Sequence, residues 1–132
     1  MAPIEIEPAS GDLPERVREA VAATASCRLW GIGNAALLAQ PLVGMVCSSK
    51  CPGAAVSQTY DIALAIREAK LAVISGFHSP MEQEVLALLL RGSQPVVICP
   101  ARSVLSMRVP RAWRTSIDAG RLLVASPFEE HH

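Results

Sequence analysis

Four short loops hold most of the residues that could bind or transform a ligand. They are Cys47-Ser48-Ser49-Lys50-Cys51-Pro52-Gly53, Ser75-Gly76-Phe77-His78-Ser79-Pro80, Cys99-Pro100-Ala101-Arg102-Ser103 and Ser126-Pro127-Phe128. Serine hydroxyls, backbone N–H groups opened by glycine, and one each of Lys, His and Arg are the groups that hold an anion. Ser48, Ser49 and Lys50 read as phosphate contacts, with Ser75, Gly76, Phe77 and His78 as the facing lip. Glu82 is placed to accept a hydrogen bond from a sugar or base. The N-termini of helices starting near Ala54 and Met81 offer a seat for the phosphate itself. The same residue types also make turns and caps, and composition alone favours that plainer use.

Metal and catalytic chemistry can be weighed on the same loops. Cys47 and Cys51 are separated by three residues, a spacing found in zinc pairs, and Cys99 and His78 belong to the same predicted sheet edge. The chain has no second close cysteine pair, and cysteine at a strand end ordinarily serves as a small apolar residue. A Cys47 or Cys51 nucleophile with His78 as base would lack an orienting carboxylate other than Glu82. The reading therefore assigns neither metal ligands nor catalytic residues. Cys47, Cys51 and Cys99 stand as the metal candidates, and Glu82 and His78 as the acid–base candidates. The cofactor expectation is none beyond a nucleotide or phosphate.

These loops need elements to position them, and the chain supplies a repeated pattern. Apolar runs at Leu42–Cys47, Leu71–Ser75, Pro95–Cys99 and Leu122–Ser126 alternate with helical spacing over Ala54–Ala69, Met81–Arg91 and Pro110–Ala119. Gly92 and Gly120 follow the last two helices as stops. The runs are apolar throughout, as strands covered on both faces are. Connections of this length join parallel neighbours by right-handed crossovers. The fold class is therefore α/β: a Rossmann-like three-layer sandwich, helices on both sides of a mainly parallel sheet of about four strands. In such a sheet ligands bind beyond the carboxyl ends of the strands, where strand order reverses.

Upstream, residues 1–12 are polar and proline-broken and read as a loose lead-in. Residues 13–132 then form a single domain, with helical spacing from Leu13 to about Cys27, a break at Trp30–Asn34, and a short helix at Ala35–Ala39 ended by Pro41. The chain of 132 residues is long enough to bury a real core. The fourth strand is expected to be a bare edge, which favours a homo-oligomer.

Bulk charge narrows the partners. The 12 basic and 12 acidic residues balance, so no global field draws the protein to nucleic acid or an anionic membrane. Bases do gather late, at Arg102, Arg108, Arg111, Arg114 and Arg121. They form either a local basic patch or scattered solvated side chains. Trp113, flanked by Arg111 and Arg114, either stacks a base or anchors its helix on the sheet. No run is long and apolar enough to span a bilayer, and the first residues lack a leader pattern, so a cytoplasmic protein with reduced thiols is expected.

A family resemblance bears on these loops. Trp30-Gly31-Ile32-Gly33-Asn34, Leu37-Leu38 and Pro41-Leu42-Val43-Gly44-Met45-Val46-Cys47-Ser48 resemble the start of the DNA-processing A (Smf) fold. There a helical lead-in with a Gly-Asn-like turn precedes a first strand ending in Gly-Ser-Arg. Val73-Ile74-Ser75-Gly76 with Met81-Glu82 resembles the second signature, Val-Ser-Gly followed by Gly-Ile-Asp. Ser75 and Gly76 match it directly, and Met81 and Glu82 stand where Ile and Asp are expected. The resemblance covers about residues 29–128.

Departures from the pattern are specific. Cys47 replaces a glycine, Ser49 an arginine, Pro80 a glycine and Leu86 a histidine. Lys50 either takes over the missing positive charge or is simply solvated. The family's Arg-Asn-Arg helix and following strand are not found, so the pattern reads as truncated. The Pro-Gly-Gly-x-Gly-Thr loop of the related lonely-guy enzymes is also absent, which speaks against phosphoribohydrolase activity. The resemblance implies a nucleotide- or single-stranded-DNA-binding module in DNA uptake or recombination. The alternatives are an enzyme acting on a nucleotide-derived substrate, with Glu82 or His78 as acid or base, and an oligomeric structural remnant that binds nothing.

Overall fold

The computed structural model describes residues 2–6, 15–16, 19 and 28–129. In chain order the elements are β1 (Ile4–Ile6), β2 (Leu29–Gly33), a 3-10 helix (Ala35–Ala39), β3 (Val43–Gly44), α1 (Gly53–Ala69), β4 (Val73–Ser75), α2 (Pro80–Leu90), β5 (Val96–Ile98), α3 (Arg111–Asp118) and β6 (Leu122–Ser126). Every apolar run that the sequence marks becomes a strand, and each helical spacing downstream of it becomes a helix. The helix expected over 13–27 falls largely outside the described residues.

The six strands form one sheet in the order β1-β2-β6-β5-β4-β3. Strands β3 to β6 are parallel and lie side by side in chain order. The expected reversal of strand order therefore does not occur among them, and the loops after β3, β4 and β5 stand in a row along one sheet edge. Strand β2 pairs antiparallel with β6, and β1 antiparallel with β2. Two of these pairings correct the reading of the sequence. Trp30–Asn34, taken as a break because of its glycines, is mostly strand, and the lead-in contains an edge strand at Ile4–Ile6. Gly31 is there for closeness: an added Cβ would lie 2.9 Å from Ile6 Cδ1 and 3.1 Å from Leu123 Cδ1, a use of strand glycine that composition does not separate from turn-making.

A third correction concerns the ends of the sheet. Strand β6, expected to be a bare edge, is interior, held between β5 and β2 and buried at every position. The edges among the described strands are β1 and β3; on β3 Val43 and Gly44 are exposed, so the first apolar run is not covered as the others are.

Strand alternation sorts the core into two layers. Ile32, Val96, Ile98, Leu122 and Val124 face Ala63 of α1, Val85 and Leu89 of α2, and Ile117 of α3. Ile6, Val97, Leu123 and Ala125 face Ala35 and Leu37 of the 3-10 helix. Helices α1 to α3 thus share one face, as successive crossovers of one hand in one direction require.

The far end of α2 is clamped by its neighbours. Arg67 Nη1 donates to Leu88 O, Gln94 Nε2 to Leu89 O and Arg121 Nη1 to Gly92 O. Two guanidinium groups at a helix C-terminus also complement its dipole. Gln94 is only 1% exposed, so its replacement removes one of the two bonds to Leu89 O, which keeps the Gly92 N–H, and leaves a buried cavity. Gln94→Ala is expected to cost about 2 kcal/mol, read as a lower urea midpoint. An unchanged midpoint would show that α2 closes without this side chain.

Candidate functional site

Glu82, in the first turn of α2, ties two loops together. Its Oε2 accepts the Cys47 N–H at 2.7 Å, and its Oε1 accepts the His78 N–H at 2.9 Å. The loop after β3 and the loop after β4 are thereby joined through one carboxylate, which is 6% exposed. Ser79 caps the same helix, its Oγ accepting the Glu82 N–H at 3.3 Å. Burial by itself would raise the Glu82 pKa. Donors from the Cys47, His78 and Ser79 backbone and the Ser79 hydroxyl outweigh it, and the carboxyl stays below its ordinary value. The Cys47 thiol moves the other way, raised by burial and then by the charges of Glu82 and Cys51. A raised thiol pKa means fewer thiolates, which is poor preparation for a nucleophile or a metal ligand.

Two hollows open on either side of the start of α2. The first, of about 340 Å³, is lined by Ser48, Ser49, Cys51, Val56, Tyr60, Pro80, Met81 and Glu84. Within it Tyr60 donates to Glu84 Oε2 at 2.9 Å. The second, of about 560 Å³, lies over the ends of β4 and β5 and is lined by Gly76, Phe77, His78, Gln83, Leu86, Ile98, Pro100, Ala101, Arg102, Met107, Pro110 and Trp113. The turn after β4 is shaped for it. Phe77 sits in the left-handed region at φ +52, uncommon for a bulky residue and costly unless the surroundings enforce it. Enforcement comes from Ser75 Oγ, which accepts the Phe77 N–H at 3.1 Å, and from burial of the Phe77 side chain. Gly76 leaves room for the His78 ring, into which an added Cβ would run.

The helix N-termini differ in what satisfies them. Helix α2 has Ser79 and Glu82, so the seat expected near Met81 is filled by the protein itself. Helix α1 follows Pro52 with no side-chain cap and no acidic residue in its first turn. Its leading N–H groups sit behind a tight loop in which Lys50 N–H donates to Ser48 Oγ at 3.3 Å and Cys51 Sγ donates to Ser48 O at 3.3 Å. Helix α3, after Pro110, is likewise without a side-chain cap.

The residues singled out in the sequence thus separate into groups. Ser48 and Ser49 line the first hollow; Gly76, Phe77 and His78 line the second. Ser75 is buried under the turn and Glu82 stands between the hollows. Lys50 is exposed on the first loop and lines neither hollow. Cys47 and Cys51 are half-buried on that loop and Cys99 is exposed at the end of β5. Among the described residues no three His, Cys, Asp or Glu side chains gather as a metal cluster. Gln83, Arg102 and Trp113 line the second hollow without having been assigned to the site. Arg102 had a signal in its place after the third run and Trp113 in its arginine neighbours, but Gln83 had none.

No protein-family model and no curated protein sequence matches the chain. Among solved structures, DNA processing protein A from Streptococcus pneumoniae is similar, with a TM-score of 0.70 and 18% identity, over 98% of this chain and 45% of that one. The chain therefore spans less than half the length of the protein it resembles. At that identity the likeness is one of architecture: the chain is a mixed α/β, Rossmann-like module similar in fold to DNA processing protein A.

Proposed function

We propose that the protein is a binding module for a phosphate-bearing ligand, a nucleotide or single-stranded DNA, working in DNA processing. The supporting observation is the row of loops at the carboxyl edge of the parallel strands, with two hollows divided by the start of α2 and an uncapped α1 N-terminus behind Ser48, Ser49 and Lys50. Backbone N–H groups there suit phosphate oxygens, and Lys50 adds charge from the exposed side of the loop. Glu82 supports binding over acid–base catalysis, because an ionised carboxylate already engaged by two backbone donors serves to hold loops in place. No described helix is long and apolar enough to cross a membrane, and this reading takes the module to act in the cytoplasm. Self-association would use β3 or β1, the two edges of the sheet.

The test is fluorescence anisotropy with end-labelled hexathymidylate at stepped salt concentrations. Affinity is expected to fall steadily as salt rises, as counterions released by phosphate contacts demand. Lys50→Ala is expected to lower the slope of log affinity against log salt by roughly 0.7, one phosphate contact on a single strand. Absence of binding at low salt, or an identical slope in the variant, would remove the loop as a phosphate site.

A further inference from the structure

We infer that two copies of this chain pair through β3, antiparallel about a two-fold axis at Gly44, to make one continuous sheet. The inference goes beyond the phosphate-binding reading and does not depend on it. The two ends of the sheet differ in how they meet water. At β1 the edge is guarded by charge: Glu5 stands in mid-strand and is ion-paired to Arg28 at 3.8 Å. At β3 there is no such guard, since Leu29 to Ser49 contains no charged residue. An uncharged, apolar strand edge is a template for a further strand.

The backbone of β3 is half used. The Val43 and Met45 N–H groups donate to Ala72 O and Ile74 O, on the side of β4, at 2.8 and 3.0 Å. The alternate residues Leu42, Gly44 and Val46 therefore turn their N–H and C=O groups the other way, where β3 has no neighbour among the described strands. An antiparallel copy centred on Gly44 meets them in register. Gly44 then faces Gly44, and Leu42 faces Val46 on both sides of the axis, each a pair that exchanges two hydrogen bonds.

The side chains suit the same register. Met45 packs with the core on the side of the long helices and Leu42 with the core of the opposite layer, so strand alternation places Val43 with Met45 and Val46 with Leu42. Across the axis Val43 meets Met45 and Val46 meets Leu42, and every such pair is apolar. In the single chain several of these groups are left to solvent: Val46 is 92% exposed, and Ile62 on α1 is 60% exposed. With Val43, Met45 and Ile66 they wall a hollow of about 220 Å³ along the edge, where side chains of an added strand find apolar contact. Self-complementarity decides the occupant. Leu42-Val43-Gly44-Met45-Val46 is apolar at mirrored positions about its glycine, and a patch that matches itself makes an isologous pair. The carboxyl edges of the two antiparallel sheets point opposite ways, so each copy keeps its own row of ligand loops.

Sedimentation of the full chain over a range of concentrations tests the pairing, with hydrogen exchange of individual amides alongside. A reversible dimer is expected. The Gly44 and Val46 amides should exchange more slowly as concentration rises, while those of Val43 and Met45 are protected at every concentration. The double variant Val43→Lys, Val46→Lys should raise the dimer dissociation constant at least about tenfold, because it lines the edge of both copies with like charge. Both positions are exposed, so the variant should fold, and an unchanged circular dichroism spectrum checks this. If it does not fold, the concentration dependence of the Gly44 and Val46 amides decides alone. Ile4→Lys, on β1, should leave the dimer intact. A monomer at every concentration overturns the inference. So does a dimer that ignores the two β3 lysines, or one that Ile4→Lys disperses.

Discussion

Exchange of Glu82 for alanine is expected to cost about 3 kcal/mol of folding stability and to abolish ligand binding even where the variant still folds. The two effects share one cause. The carboxylate accepts N–H groups from Cys47 and His78, which belong to different loops and would lose their common acceptor together. The hollows lie on either side of this junction, so loosening it displaces Ser48 and Ser49 relative to Gly76, Phe77 and His78. Glu82→Gln is no remedy, because an amide places a donor against one of two backbone donors; about 2 kcal/mol of loss is expected there. Acid should act in the same direction. The folded-state pKa of Glu82 lies below its ordinary value, so the unfolded chain binds the proton more readily. The stability from this group is fully present above the ordinary glutamate value, about 4.3, and is lost as pH falls through the lower folded value. Urea unfolding at stepped pH measures this: the wild-type midpoint should fall more steeply in acid than that of Glu82→Gln. Equal stability and parallel pH profiles would show that the junction does not depend on this carboxylate.

Much of that geometry was legible in the sequence, though for uneven reasons. Val96–Ile98 and Leu122–Ala125 are apolar at every position and buried at every position, so composition and environment say the same thing. Gly120 after α3 has φ +75, as a helix stop should. The N-terminal strands were hidden because their signals are local opposites of what the fold makes of them. Leu29–Gly33 carries two glycines, which read as breakers until the close approach of Ile6 and Leu123 is known. Ile4–Ile6 is three residues long with charge in its middle, too short for periodicity to speak. The interior place of β6 followed from that omission, since nothing else in the sequence supplies a strand to cover it.

Site residues divide along the same line. Ser48, Ser49, Gly76 and His78 could be found because their loops follow apolar runs, and the ends of parallel strands are where ligands bind. Glu82 was found, but its partners were not: a carboxylate in the first turn of a helix looks like dipole compensation, and only the fold brings the Cys47 N–H to it across a distance of 35 residues in the chain. Gln83 had no sequence signal, because an exposed helical glutamine next to a glutamate is ordinary surface until α3 is seen opposite. Tertiary juxtaposition, not residue type, makes the second hollow.

Gly33→Ala is expected to be the most damaging single-methyl change in the described chain. Gly33 has φ +111, a region that residues with a Cβ rarely enter. An added Cβ there would run into the carbonyl oxygen of Leu122, with the Leu122 carbonyl carbon at 3.2 Å and Leu123 Cα at 3.3 Å. These are backbone atoms of an interior strand, which no rotamer change can move. The next residue completes a lock. Asn34 N–H donates to Leu122 O at 3.2 Å, Asn34 Nδ2 donates to Gly120 O at 3.0 Å, and Asn34 Oδ1 accepts the Ala36 N–H at 3.1 Å. One glycine–asparagine step thus ends β2, starts the 3-10 helix and fastens both to the turn between α3 and β6. Loss of more than about 3 kcal/mol is expected, enough to leave much of the protein unfolded at ordinary temperature. Gly44→Ala is the matched control, because an added Cβ there meets nothing within 4 Å and should change stability by no more than about 0.5 kcal/mol. Thermal melting of the two variants beside the wild type decides the matter. A large loss confined to Gly33→Ala identifies the Gly-Asn step as a determinant of the fold. Equal melting of all three proteins would free the step from that duty, and its presence would then have to be explained by what it binds.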